Sequence, residues 1–203
     1  MLRLTNSERA VAEVAAIAEH VAGLTAAAAA CRLTPDVPAP YPHSPPPLVP
    51  LLDEAQAAEA AETLQGVATW AAESLGVSHV PAIWRALAHQ PRLLAATWRK
   101  DRVVMAAGAL DQATKLYAAL AVAQFRGSDY WIAYFTHQLR RAAGLDDRQV
   151  VEVAGAVMHY VSFNTIAHGM RLSPPAERLA AADVAEGGPL EHLLPPPVRK
   201  RRV

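Results

Sequence analysis

Residues 111–170 read DQATKLYAALAVAQFRGSDYWIAYFTHQLRRAAGLDDRQVVEVAGAVMHYVSFNTIAHGM. Three helical segments follow one another in this stretch. Asp111 stands at an N-cap position ahead of the apolar series Leu116, Leu120 and Ala123, which predicts a helix through about Phe125. Gly127-Ser128 breaks the chain, with Ser128 placed to cap a second helix over 129–143. Gly144 ends that helix, and Asp146 caps a third through about Arg171. On the third helix Val157, Val161, Asn164 and His168 fall on one face.

Upstream, the helical pattern continues. Pro91 suits the first position of a helix reaching about Gly108, with Leu93, Leu94, Trp98 and Val104 along it. A short helix is expected over 80–89. A longer one is expected over 53–75, opened by Asp53, buried along Leu64, Val67 and Ala71, and closed by Gly76. Residues 34–50 hold eight prolines in seventeen positions, an extended arm with no regular structure, in which Tyr41 and His43 are the expected anchors. Before it, Asn6 or Ser7 caps an alanine-rich helix to about Arg32. After the core stretch, a short helix is expected over 173–185, then a flexible tail with the basic run 199–202. The domain plan is therefore an N-terminal helix (1–33), a proline-rich linker (34–51), a helical domain (52–185) and a tail (186–203).

Composition narrows the function. Hydrophobic residues make up 52% of the 203 and aromatics only 6%, a balance that favours closely packed helices. Basic and acidic residues number 19 each, so the whole chain exerts no strong pull on nucleic acid or an anionic membrane. The run 10–30 is long enough to suggest a membrane span, but Glu13, Glu19 and His20 interrupt it. A single cysteine, Cys31, excludes an internal disulfide or a two-thiol centre. No two histidines have a helical metal-binding spacing, and there is no glycine-rich phosphate loop, so no metal or cofactor is expected. These features point to a soluble cytoplasmic protein without nucleic-acid or membrane partners.

The frame YWIAYFTHQLRRAAGL after the Gly-Ser break resembles the alkylhydroperoxidase D and carboxymuconolactone decarboxylase superfamily, an all-helical family. The resemblance implies an AhpD-like helical bundle and a homo-oligomer, a dimer at least. Thiol-active members carry cysteine, two residues, cysteine, three residues, histidine at the start of this helix. Here those positions are Ser128, Trp131 and Phe135, and a proton-relaying glutamate of the preceding helix corresponds to Leu116. Peroxide reduction through a disulfide is thereby excluded. A second likeness covers part of 46–99. PLVPLLDEAQAAEAAETLQG followed by LGVSHVPAIWRALAHQPRLLAATWR is similar to a repeat of the group I haloacid dehalogenases, but their water-activating carboxylate corresponds to about Ile83.

The polar groups left around the former thiol position are Ser128, Tyr130, Tyr134, His137, His159, Asn164 and His168. His137 and His168, with Tyr134, are the candidate acid–base groups. Ser128, Tyr130, Trp131, Phe135 and Asn164 are the candidate ligand contacts. His137 lies two residues past the family histidine position, about 200° around an ideal helix. One extra residue before Gly144 allows a bulge that would turn it back. His159 shares a face with Phe163, Ile166 and Met170 and reads as a core-edge histidine. Two functions follow: a thiol-independent enzyme or binder acting on a small organic acid, or a non-catalytic oligomeric ligand-binding or structural relative. A 2-haloacid dehalogenase is the remote third.

Overall fold

The computed structural model describes residues 6–171. The helix expected over 173–185 and the basic tail lie outside the described residues. Seven α-helices are present among the described residues, and no strand.

Helix α1 (Asn6–Ala30) buries Ile17, Val21, Leu24 and Ala28 along one stripe. Three of its ionisable groups find partners on the body. Glu13 accepts from the backbone N–H groups of Ala109 (2.8 Å) and Leu110 (3.0 Å), Glu19 pairs with Lys100, and His20 meets Asp101. By length and composition α1 is apolar enough to cross a membrane, but these three side chains and the buried stripe fit a helix docked on protein.

The proline arm lies on the body through groups other than those expected. Tyr41 is 55% exposed and His43 is also exposed, so neither anchors it. The anchors are Val37, which is buried, and Asp36, whose Oδ2 accepts from the Ala82 N–H at 2.6 Å. Prolines donate no backbone hydrogen bond, yet every carbonyl in such an arm still accepts. Side-chain donors use this. His79 Nε2 lies 2.8 Å from Asp36 O and His89 Nε2 2.8 Å from Pro50 O, while Arg85 donates to Leu51 and Leu52 carbonyls.

The helix expected from Asp53 begins later. Asp53 and Gln56 exchange side-chain and backbone hydrogen bonds in a closed turn, and Ala57 then leaves helical geometry at ψ 61°. A 3₁₀ turn (Ala58–Ala60) leads into α2 (Ala61–Trp70), which widens into one π turn (Ala71–Leu75). Gly76 closes it at φ 66°, as expected. α3 (Ala82–Leu87) is shorter than the expected 80–89, and α4 (Pro91–Met105) starts at its proline.

α5 (Gln112–Arg126) is capped by Asp111, which accepts from Thr114 N at 2.8 Å. α6 (Asp129–Ala143) follows Gly127 and ends at Gly144, both in the left-handed region. α5 packs between α1 and α6. The alanines Ala119 and Ala123 are fully buried there, and their small side chains let the helix axes approach. α7 (Asp147–Gly169) begins at a capping box, in which Asp146 and Gln149 bond each other's backbone N–H. The chain divides into two compact units within this helix, one ending at Tyr160 and one beginning at Val161. No residue of α7 is buried. On the face that Val157, Val161, Asn164 and His168 share, Val161 is 37% exposed, and Asn164 and His168 are exposed.

Candidate functional site

Gly127 at φ 64° places Ser128 at the head of α6, and Ser128 N donates back to Ala123 O at 3.1 Å. Ser128 occupies the N-cap position in extended geometry, but its hydroxyl makes no capping bond, contrary to expectation. Trp131 and Phe135 follow at steps of three and four, so the three positions do share one end of one helix.

That end is filled. Trp131 is 1% exposed and Phe135 3%, and their rings stack at 5.4 Å. Tyr134 lies edge-on to both, at 4.9 Å and 5.5 Å. The cluster runs on through Trp70, stacked on Tyr134 at 6.3 Å, to Trp98 and Trp84. Leu116, in the relay position, is also buried. Trp131, Tyr134 and Phe135 are thus buried together in the core.

The two tyrosines expected to act at the site are buried with them. Burial raises the Tyr134 phenol well above its usual value, and the nearby Asp101 charge adds to this. Burial does the same to Tyr130, aided by Asp36, and its oxygen accepts from Ile83 N at 3.2 Å. Both phenols stay protonated at neutral pH, and neither faces solvent.

His137 does not turn toward this cluster. Its Nε2 donates to the carbonyl oxygen of Leu75 at 2.6 Å, while Arg141 Nε reaches Ser74 O at 3.4 Å. Carbonyls at a helix C-terminus lack intrahelical donors, and basic side chains are the natural partners there. Asn164 and His168 are solvent-exposed in the unit beginning at Val161. His159 is exposed and edge-on to Tyr160, rather than at a core edge. Ile83, the position matched to the dehalogenase carboxylate, is fully buried. Among the described residues no group of three or more histidine, cysteine, aspartate or glutamate side chains is gathered to hold a metal ion.

Open space lies on the opposite side of α6. The proline arm and the outer stripe of α6 enclose a cleft of about 680 Å³. On the α6 side Asp129, Thr136, His137 and Arg140 are its polar groups, the arm adds Thr34, His43 and Ser44, and Tyr41, Pro38 and Ile132 are among its apolar walls. Thr136 Oγ1 is buried without a hydrogen-bond partner. Arg140 is half-exposed and paired with Asp147. A buried hydroxyl without a partner is costly unless something meets it. Of the residues expected at the site, His137 lines this cleft, joined by Thr136 and Arg140 and by the arm. Their signal was legible: 129, 132, 133, 136, 137 and 140 form a helical stripe, facing away from the aromatic one.

Two comparisons bear on this arrangement. Residues 91–173 match the carboxymuconolactone decarboxylase family. The crystal structure of the alkylhydroperoxidase AhpD core from Rhodospirillum rubrum is 30% identical in sequence. The match covers 65% of this chain and 96% of that one, with a TM-score of 0.55. No curated protein matches the chain.

Proposed function

Because the chain belongs to the alkylhydroperoxidase D and carboxymuconolactone decarboxylase-like superfamily, we propose that it is a thiol-independent member that binds a small organic acid in the cleft between its proline arm and α6. The observation that carries this reading is the exchange of one space for another. Aromatic rings occupy the position of the thiol centre, and the cleft has opened on the other face of the same helix. A volume of about 680 Å³ suits a ligand of ordinary metabolite or drug size. Arg140 offers a guanidinium to a carboxylate, and Thr136 offers a hydroxyl. His137 has one ring nitrogen committed to Leu75 and the other left for a ligand or solvent.

Isothermal titration with benzoate and short aliphatic carboxylates tests this reading. Saturable binding is expected, weakened by Arg140→Ala and by Thr136→Val. Equal affinity in wild type and both variants would remove the cleft from consideration. Turnover of an organic hydroperoxide with a dithiol reductant would remove the thiol-independent reading.

The alternative, an oligomeric relative with no catalysis, draws on α7. Val151, Met158, Tyr160, Phe163, Ile166 and Met170 are each more than half exposed. Apolar side chains in that number are usual where another surface covers them. The two readings are compatible: a cytoplasmic homo-oligomer can bind a ligand in each protomer. Light scattering on the purified chain is expected to give a mass of at least two copies, and a monomer would count against the oligomer.

A further inference from the structure

A second cleft lies on the other side of the body, between α1, α3 and α4, with a volume of about 220 Å³. Leu24, Leu87 and Leu93 are its apolar walls, and His20 lines it as well. His20 is only 4% exposed, and its Nε2 lies 3.1 Å from Asp101 Oδ1. The other oxygen of Asp101 accepts from Arg102 Nη2 at 2.6 Å. The Arg102 guanidinium in turn rests over the rings of Trp70 (4.3 Å) and Trp98 (4.6 Å). The histidine is therefore held by a fixed series of partners that reaches into the aromatic core.

This series sets what the imidazole can offer. An ionised carboxylate only accepts, so the hydrogen of a neutral ring sits on Nε2 and the lone pair on Nδ1. Among the described residues no donor meets Nδ1. Asp101 thus leaves Nδ1 as the acceptor of a ring that lines this cleft beside the leucines, with Thr97 the other uncharged polar side chain there. The remaining charges there, Glu19 and Lys100, pair with each other and leave no net charge to attract an ion. The volume is below that of drug-sized pockets, roughly 300–1,000 Å³, so the occupant is small.

The geometry points to a second ligand site, at which His20 Nδ1 accepts the hydroxyl hydrogen of a small, mostly apolar alcohol or phenol. Asp101 is a positioning residue that fixes the tautomer. The site shares no wall with the arm cleft, so the two stand or fall separately.

Phenol and anisole, which have the same ring but differ in the hydroxyl donor, are the probes. The readout is the ¹⁵N resonance of His20 Nδ1 in the full chain, in mildly alkaline buffer. Phenol is expected to shift this resonance saturably. Anisole, lacking the donor, is expected to bind at least about tenfold more weakly. A purely structural histidine would show neither effect. Gly23 also lines the cleft, and a Cβ there meets nothing within 4 Å. Gly23→Leu is therefore expected to keep the fold and the His20–Asp101 contact while abolishing the phenol shift. The proposal is overturned by an unmoved Nδ1 resonance up to roughly 10 mM phenol. Equal binding of phenol and anisole, or an undiminished shift in Gly23→Leu, would overturn it too.

Discussion

His137 closes the end of another helix: its Nε2 donates to Leu75 O at 2.6 Å, on the carbonyl that the π turn leaves without a helical donor. Its first role is therefore structural, whatever its second nitrogen does in the arm cleft. His137→Ala is expected to lower unfolding stability by about 1 kcal/mol, the usual net worth of one hydrogen bond. Urea denaturation measures this directly, and an unchanged midpoint would mean that water replaces the imidazole without loss.

Glu13 fastens α1 to the loop between α4 and α5. Hydrogen bonds from the Ala109 and Leu110 N–H groups, then from Lys115, lower its pKa from 4.5 to about 2. A carboxyl with a depressed folded pKa binds fewer protons folded than unfolded across that window. Its contribution is complete above pH 4.5 and is lost as pH falls toward 2. Glu13→Gln is expected to flatten this part of the stability profile. Denaturant midpoints taken across the acid range would reveal the flattening, and parallel profiles for the two proteins would contradict it.

Asp36 has the opposite sign. Burial raises its pKa above 3.8, against the hydrogen bond from Ala82 N and the nearby His79. As pH rises past 3.8 the unfolded chain loses this proton first. The folded state then holds the extra proton, so stability falls through the window and levels off above the raised value. Asp36→Asn keeps an acceptor for Ala82 and carries no charge. Relative to wild type, it is expected to gain stability as pH climbs through the acid window. A wild-type to variant difference that does not depend on pH would show that Asp36 is not desolvated.

Trp131 is buried in the core. Truncating a fully buried aromatic removes its transfer energy and leaves a cavity, so Trp131→Ala is expected to destabilise the fold by roughly 3–5 kcal/mol. Binding of carboxylates in the arm cleft should survive in whatever fraction remains folded. A loss below about 1 kcal/mol would place the ring at a yielding, solvent-accessible position instead.

Much of this architecture could be read from residues alone, because local signals fixed it. Asp111, Pro91, Gly76, Gly127 and Gly144 each mark a helix end by backbone chemistry that tertiary context did not override. The break at Ala57 was not visible in that way. Nothing in an alanine run announces where a closed Asp53–Gln56 turn will stop. The residues at 128, 131 and 135 argue against thiol chemistry, but periodicity does not say whether large rings line a pocket or fill it. That depended on Trp70, Trp84 and Trp98, which arrive from distant segments. The α6 stripe of the arm cleft could be read from spacing, but not the element that covers it. Asp36 is the lone acid among the prolines, and its partner lies 46 residues away.

Lys115 is 3% exposed, with its ammonium 3.1 Å from Glu13 and 2.9 Å from the Val104 carbonyl oxygen. A shortened chain starting at Pro91, where the family match begins, would strip away Glu13, the carboxylate paired with this ammonium. It would also bare the α5 surface on which α1 rests. The segment that announces ancestry is thus not one that can be cut out and studied alone. In this protein the leading helix and its tether are structural members of the domain, and biochemical work has to retain them.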